Sequence, residues 1–167
     1  MTQDKQYVLD TMRAQGLAQA QALQEASPDM TGTELYAREG HIPDFQAAKT
    51  AKNMLERTAG FVCRSTAGRV VRLIQPYDSE TYPQEPEELE AQWGFVWNTD
   101  PAKALPFVSI ATSPYNTGDC CTYLVNAEGQ PDQNGTVIHV FRSGQDTNTW
   151  APGTVGVDWE DLGEVVR

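Results

Sequence analysis

Apolar residues recur at Val8, Leu9, Met12, Leu17, Ala20 and Leu23 in a stretch rich in Ala, Gln, Leu and Met. This spacing predicts a helix over Gln3–Ala26 of about six turns. Its apolar stripe is narrow and Gly16 interrupts it, so the helix needs a domain or copies of itself to pack against. The segment Ser27 to Thr33 carries Pro28, Gly32 and cap-type residues, which ends that helix and starts a short one over Glu34–Arg38. Ala47 to Arg57 reads as another short helix.

From Gly60 onward the pattern shortens to β-type runs. Phe61-Val62-Cys63 and Val70 to Ile74, separated by turn residues at Ser65 to Gly68, form a hairpin signature. A Pro- and Glu-rich stretch then leads into Trp93-Gly94-Phe95-Val96-Trp97, and Asp100 to Ala104 makes a second break. The same grammar returns with Gly135 before Thr136 to Arg142, then Asn148 to Gly153, then Trp159 to Gly163. Gly68 and Trp93 are 93 − 68 = 25 residues apart, and Gly135 and Trp159 are 159 − 135 = 24 apart. Pro86 and Pro152 each precede their tryptophan by 7. Such repetition predicts two small β modules behind a helical region, with divisions at 1–40, 41–100 and 101–167.

Composition narrows the partners. Among 167 residues, 12 Lys and Arg stand against 23 Asp and Glu, a net charge of −11 that repels nucleic acid and anionic lipid. No run is apolar enough for a membrane span. The first residues lack the basic-then-apolar order of a secretory signal, so synthesis in the cytoplasm without membrane insertion is expected. Cys63, Cys120 and Cys121 cannot all pair within one chain and include no CxxC, which gives neither a disulfide framework nor a thiolate zinc site. They read as buried thiols, with a strained Cys120–Cys121 bridge as the alternative.

The strings Tyr115-Asn-Thr-Gly118-Asp119, Asn134-Gly135, Asn148-Thr-Trp150-Ala-Pro152-Gly153 and Trp159-Glu160 resemble the small chitin-binding-like modules of carbohydrate-binding families 5 and 12. The whole layout is similar to a family of phage and prophage tail-associated proteins of Gram-positive bacteria, in which a leading helix precedes two such modules. Stretches similar to Leu73-Ile-Gln-Pro-Tyr77, Asp100-Pro-Ala-Lys-Ala104 and Asp119-Cys-Cys121 recur there. The resemblance covers roughly residues 41–163 and is more specific in the second half. The first copy has Gly60-Phe61 in place of Gly-Asp and no Asn-x-Trp before Pro86. The second has an insert over Tyr123 to Gln133 and Ile138 where an aromatic is usual.

The resemblance implies a mainly β fold with an N-terminal helix and two chitin-binding-like modules. It also implies a virion (tail) location, other phage tail proteins as partners, and bacterial cell-wall or surface polysaccharide as ligand. The N-terminal helix is the candidate for homo-oligomer formation. Trp150, in a polar Pro-flanked loop, is the leading sugar-stacking candidate, joined by Tyr115 and Trp159, with Asn148 and Asp119 as hydrogen-bond partners. The competing reading makes these aromatics the core of a small module, and Asp119 a turn residue. Trp93 and Trp97, flanking Phe95-Val96, read as buried within or between modules.

No catalytic set emerges. Acidic pairs such as Glu87-Glu88, and Asp158 with Glu160 and Asp161, lie in charge-dense stretches that read as solvated faces rather than a glycosidase pair. His41 and His139 are too few for a histidine-rich metal centre, and neither Gly-x-Ser-x-Gly nor a phosphate loop occurs. Cys63 beside Arg64 has no base in view. A non-enzymatic protein without cofactor or metal is expected. A purely architectural tail adaptor and an accessory carbohydrate-binding subunit of a glycan-degrading system are the alternatives.

Overall fold

In a computed structural model, which describes residues 2–166, α1 spans Gln3–Ala26, α2 Gly32–Ala37 and α3 Phe45–Ala51. Two sheets follow. The first is an antiparallel meander of β1 (Val62–Arg64), β2 (Val70–Leu73) and β3 (Trp93–Phe95). The second has the order β4 (Leu105–Pro106), β5 (Cys120–Val125), β6 (Val137–Ser143) and β7 (Trp159–Glu164), with β4 parallel to β5 and the rest antiparallel. An N-terminal helix followed by two β sheets is thus the architecture. Helix takes 32% of the chain and strand 21%, which corrects the expectation of a mainly β protein. The long α1 and the brevity of most strands tip the balance.

The repeat read from glycine and tryptophan spacing has a structural counterpart. Gly60 and Gly118 both adopt φ +96°, a region open to glycine because it lacks Cβ. The Gly60 amide donates to the Leu73 carbonyl at 2.7 Å and the Gly118 amide to the Ser143 carbonyl at 2.8 Å. Leu73 and Ser143 each return an amide, to the Phe61 and Asp119 carbonyls, both at 2.8 Å. Cys63 lies opposite Val71 and Cys121 opposite Phe141. Trp93 begins β3 opposite Leu73, and Trp159 begins β7 opposite Ser143. Phe61 therefore occupies the backbone position of Asp119. Adjacent residues of a strand face opposite ways, so Cys120 and Cys121 point to different sides, and all three cysteines are free and buried.

The copies differ in what covers them. Val62 and Val70, on one face of the first sheet, pack with Leu23, Leu35, Tyr36 and Ile42 of the helical region. Trp93 on the other face meets Phe45 of α3 and Tyr77 edge-on, at 5.7 and 6.2 Å between ring centroids, and its indole N–H donates to the Tyr77 hydroxyl at 3.0 Å. The helical region is thus part of the first core. Gln24 ties α1 to the sheet edge, donating to the Val62 carbonyl at 2.7 Å and accepting from the Val62 amide at 2.9 Å. The two halves meet through an aromatic column. Trp97 lies between Phe95 at 5.8 Å and Tyr115 at 4.2 Å, and Tyr115 between Trp97 and Phe107 at 5.5 Å. Trp97 belongs to the cores of both sheets.

α2 starts with a capping box, Thr31 and Glu34 satisfying each other's amides. Its first residue is Gly32, where any Cβ would overlap the Trp97 carbonyl oxygen. Gly32→Ala is therefore expected to push α2 off the junction and to cost roughly 1–3 kcal/mol, as overpacking does. Thermal unfolding against Gly40→Ala, where a Cβ meets nothing, checks this; equal melting temperatures would show that the close approach is not constraining.

Candidate functional site

The second sheet lacks the helical cover of the first, and its aromatic edge stays open. Trp150 is 59% exposed, yet its backbone is fixed on both sides. The Trp150 amide donates to Asn148 Oδ1 at 3.2 Å, and the Trp150 carbonyl accepts from the Trp159 indole N–H at 2.8 Å. Ser109 Oγ donates to the Thr149 carbonyl at 2.8 Å. One residue earlier, Tyr115 and Asn148 exchange backbone hydrogen bonds at 2.8 Å each. The loop is pinned while its largest side chain faces solvent, an arrangement that lowers the ordering cost of binding.

The other candidate residues fall into different roles. Asn148 is fully buried; its Nδ2 donates to Ser143 Oγ at 3.1 Å while its Oδ1 holds the Trp150 amide. Tyr115 is 1% exposed, with both ring faces covered by Trp97 and Phe107 and Trp159 edge-on at 5.5 Å. Neither presents a surface to a sugar. Asp119 accepts from the Asn116 amide at 2.7 Å and closes the Gly118 turn. Burial pushes its carboxyl up, the nearby charge of Asp146 adds to this, and the Asn116 N–H opposes it. Asp146 in turn accepts from Thr117 at 2.9 Å, which lowers its pKa. Trp159 is half-buried on Phe107, ring edge to face at 6.1 Å. Of the five, the structure leaves Trp150 open and Trp159 partly so.

Phe107 was not singled out by the sequence reading. It lies between Tyr115, Trp159 and Tyr123, the last at 6.2 Å, and its signal was the apolar run Leu105-Pro106-Phe107. Beside it, Pro106, Tyr123, Leu124, Gln133 and Ile138 line an apolar groove of about 330 Å³ at the β5 edge. Sugar rings are amphipathic, and their C–H faces match such a surface.

Of the acidic residues, Glu87, Asp161 and Glu160 lie in ion pairs, and Glu87 is largely buried where a solvated face was expected. Glu87 accepts from Arg69 at 3.0 Å and from Ser65 Oγ at 2.7 Å in a largely buried pair. Asp161 lies 2.8 Å from His139 Nδ1, and Glu160 faces Arg142 at 3.4 Å. Burial pushes the Cys63 thiol well up despite Arg57 nearby, the reverse of an activated nucleophile. Among the described residues no group of three His, Cys, Asp or Glu is placed to hold a metal, and no helix is long and apolar enough to cross a membrane. No protein-family model, curated protein or solved structure matches the chain.

Proposed function

We propose that the protein is a non-enzymatic component of a phage or prophage tail that holds host wall or surface glycan on its second, chitin-binding-like module. The supporting observation is Trp150, an exposed indole on a loop whose backbone is fixed through Asn148 and Trp159. Trp150 supplies the stacking face, the half-open Trp159 flanks it, and the groove beside Phe107 receives an adjoining sugar. Asn148, Tyr115 and Asp119 hold this surface in shape. The first module, lacking a counterpart of Trp150 and covered by the helical region, serves as scaffold.

A stacked ring contributes about 0.5–1.5 kcal/mol, or roughly 2- to 12-fold in affinity. Trp150→Ala is expected to weaken retention on insoluble cell wall and on chitin by that factor while leaving the melting temperature unchanged, because the side chain packs on no core. Retention by multiple tethered copies amplifies the loss. Retention unchanged in this variant removes the site, and a folded protein that binds neither material points to an architectural adaptor instead.

A further inference from the structure

Side chains alternate along a strand, so residues two apart on β7 share a face with those opposite them on β6. Trp159 lies opposite Ser143 and Asp161 opposite Phe141, which puts Asp161 on the Trp159 face, roughly 7 Å further along β7. His139, two residues from Phe141 on β6 and opposite Tyr123 on β5, shares that face. Phe107 meets Trp159 and Tyr123 edge-on, at 6.1 and 6.2 Å. The aromatic edge therefore continues from Trp159 across Phe107 to Tyr123, and His139 stands at its end.

The imidazole is held from one side only. Its Nδ1 lies 2.8 and 2.9 Å from the two carboxylate oxygens of Asp161, and its ring stacks on Phe141 at 6.4 Å. Asp161 is oriented in turn by the Gly163 amide, which donates to Oδ1 at 2.8 Å; Gly163, at φ +99°, sits in the register shift between β6 and β7. A carboxylate only accepts, so Nδ1 carries a proton and, in the neutral ring, Nε2 is left as an acceptor. Among the described residues Nε2 has no hydrogen-bond partner. The buried side-chain nitrogens without one are the Nε of Arg57, Arg64 and Arg69 alone, so the His139 Nε2 reaches solvent. Ligand sites join apolar faces to a few placed polar groups that fix orientation. Resting on the glycan reading of Trp150, we infer that His139 is a contact residue of the same surface. Its Nε2 accepts a hydrogen bond from a hydroxyl of the adjoining sugar, and Asp161 fixes the ring for it. The bound glycan runs from Trp150 past Trp159 along β7.

Nuclear magnetic resonance of the full chain titrated with tri-N-acetylchitotriose tests it, because His41 and His139 are the only histidines. The His139 Cε1–H signal is expected to move with the same saturation curve as the Trp150 indole N–H, while that of His41, exposed in the helical region, stays in place. Retention on chitin is expected to fall about 2- to 12-fold in His139→Ala, the worth of one hydrogen bond. It is expected to stay at the wild-type level in Arg142→Gln, which breaks the 3.4 Å pair with Glu160 on the opposite face of the same two strands. A Trp150 signal that moves without His139 overturns the inference and leaves the glycan reading standing. Equal losses in the two variants, tracking a lowered melting temperature, would make His139 and Asp161 a brace between strands and overturn it also. A titration that moves neither signal removes the glycan reading, and this inference with it.

Discussion

Replacing Tyr115 by alanine is expected to destabilise the whole chain by about 3–5 kcal/mol, the range for removing a buried large aromatic. Tyr115 is 1% exposed, stacked at 4.2 Å on Trp97 and 5.5 Å on Phe107, with Trp159 edge-on. No solvent can fill the gap without wetting the column that joins the sheets. Trp97 belongs to both cores, so the loss is expected to appear as one shifted transition in urea, followed by tryptophan fluorescence, rather than unfolding of the second half alone. Tyr115→Phe is expected to stay within about 1 kcal/mol of wild type. Its hydroxyl accepts only one long bond, from the Val108 amide at 3.4 Å. A Tyr115→Ala protein as stable as wild type but deficient in glycan retention would place the ring on the binding surface and overturn this assignment.

Alkali is expected to unfold the protein progressively from about pH 9. Burial pushes the Tyr36 hydroxyl up to about 12, against the Val70 amide that favours its charged form, and pushes Cys63, Cys121 and Tyr115 up as well. In the unfolded chain thiols release their protons near pH 8.5 and phenols near pH 10. Above those values the unfolded state holds fewer protons than the native one, so stability falls as pH rises. The contribution is fully present below the unfolded pKa. It is lost at about 1.4 kcal/mol per pH unit for each group, the thiols first and the phenols above pH 10, and Cys120 and Tyr77, which burial also pushes up, add to the same fall. The urea midpoint measured from pH 7 to pH 11 checks this. Cys63→Ala with Cys121→Ala is expected to flatten the curve between roughly pH 8.5 and pH 10. A wild-type midpoint that stays level through that window would show that the thiols are not held in a dry core.

Much of the local structure was legible because its causes are local. The helix over Gln3–Ala26 follows from composition and spacing, and α2 from its capping residues, although it begins two residues earlier than the reading placed it. The β1–β2 hairpin follows from β-type runs around Gly68. β5 and β4 were not read as strands. Leu105–Pro106 is too short to carry a period, and its parallel pairing with Cys121 and Thr122 spans a long connection that no local signal announces. The predicted helix over Ala47–Arg57 instead begins at Phe45 and ends at Ala51, and a separate 3-10 turn follows once Asn53 caps Leu55.

The candidate site divides the same way. Trp150 stands out in sequence because its loop is polar and Pro-flanked, and nothing distant is needed to leave it exposed. Tyr115, Asn148 and Asp119 look equivalent to it as letters, but their roles depend on which surfaces close over them. By itself the sequence determined the first helix, the capped start of the second, the β1–β2 hairpin and the repeated glycine-to-tryptophan spacing, all governed by dihedral preference and side-chain period over a few residues. Only the tertiary structure decided that the helical region seals the first module, that Trp97 and Tyr115 are stacked between the two, and that the aromatic edge at Trp150 and Trp159 remains open. Burial depends on contacts between residues far apart in the chain, and no local pattern specifies those.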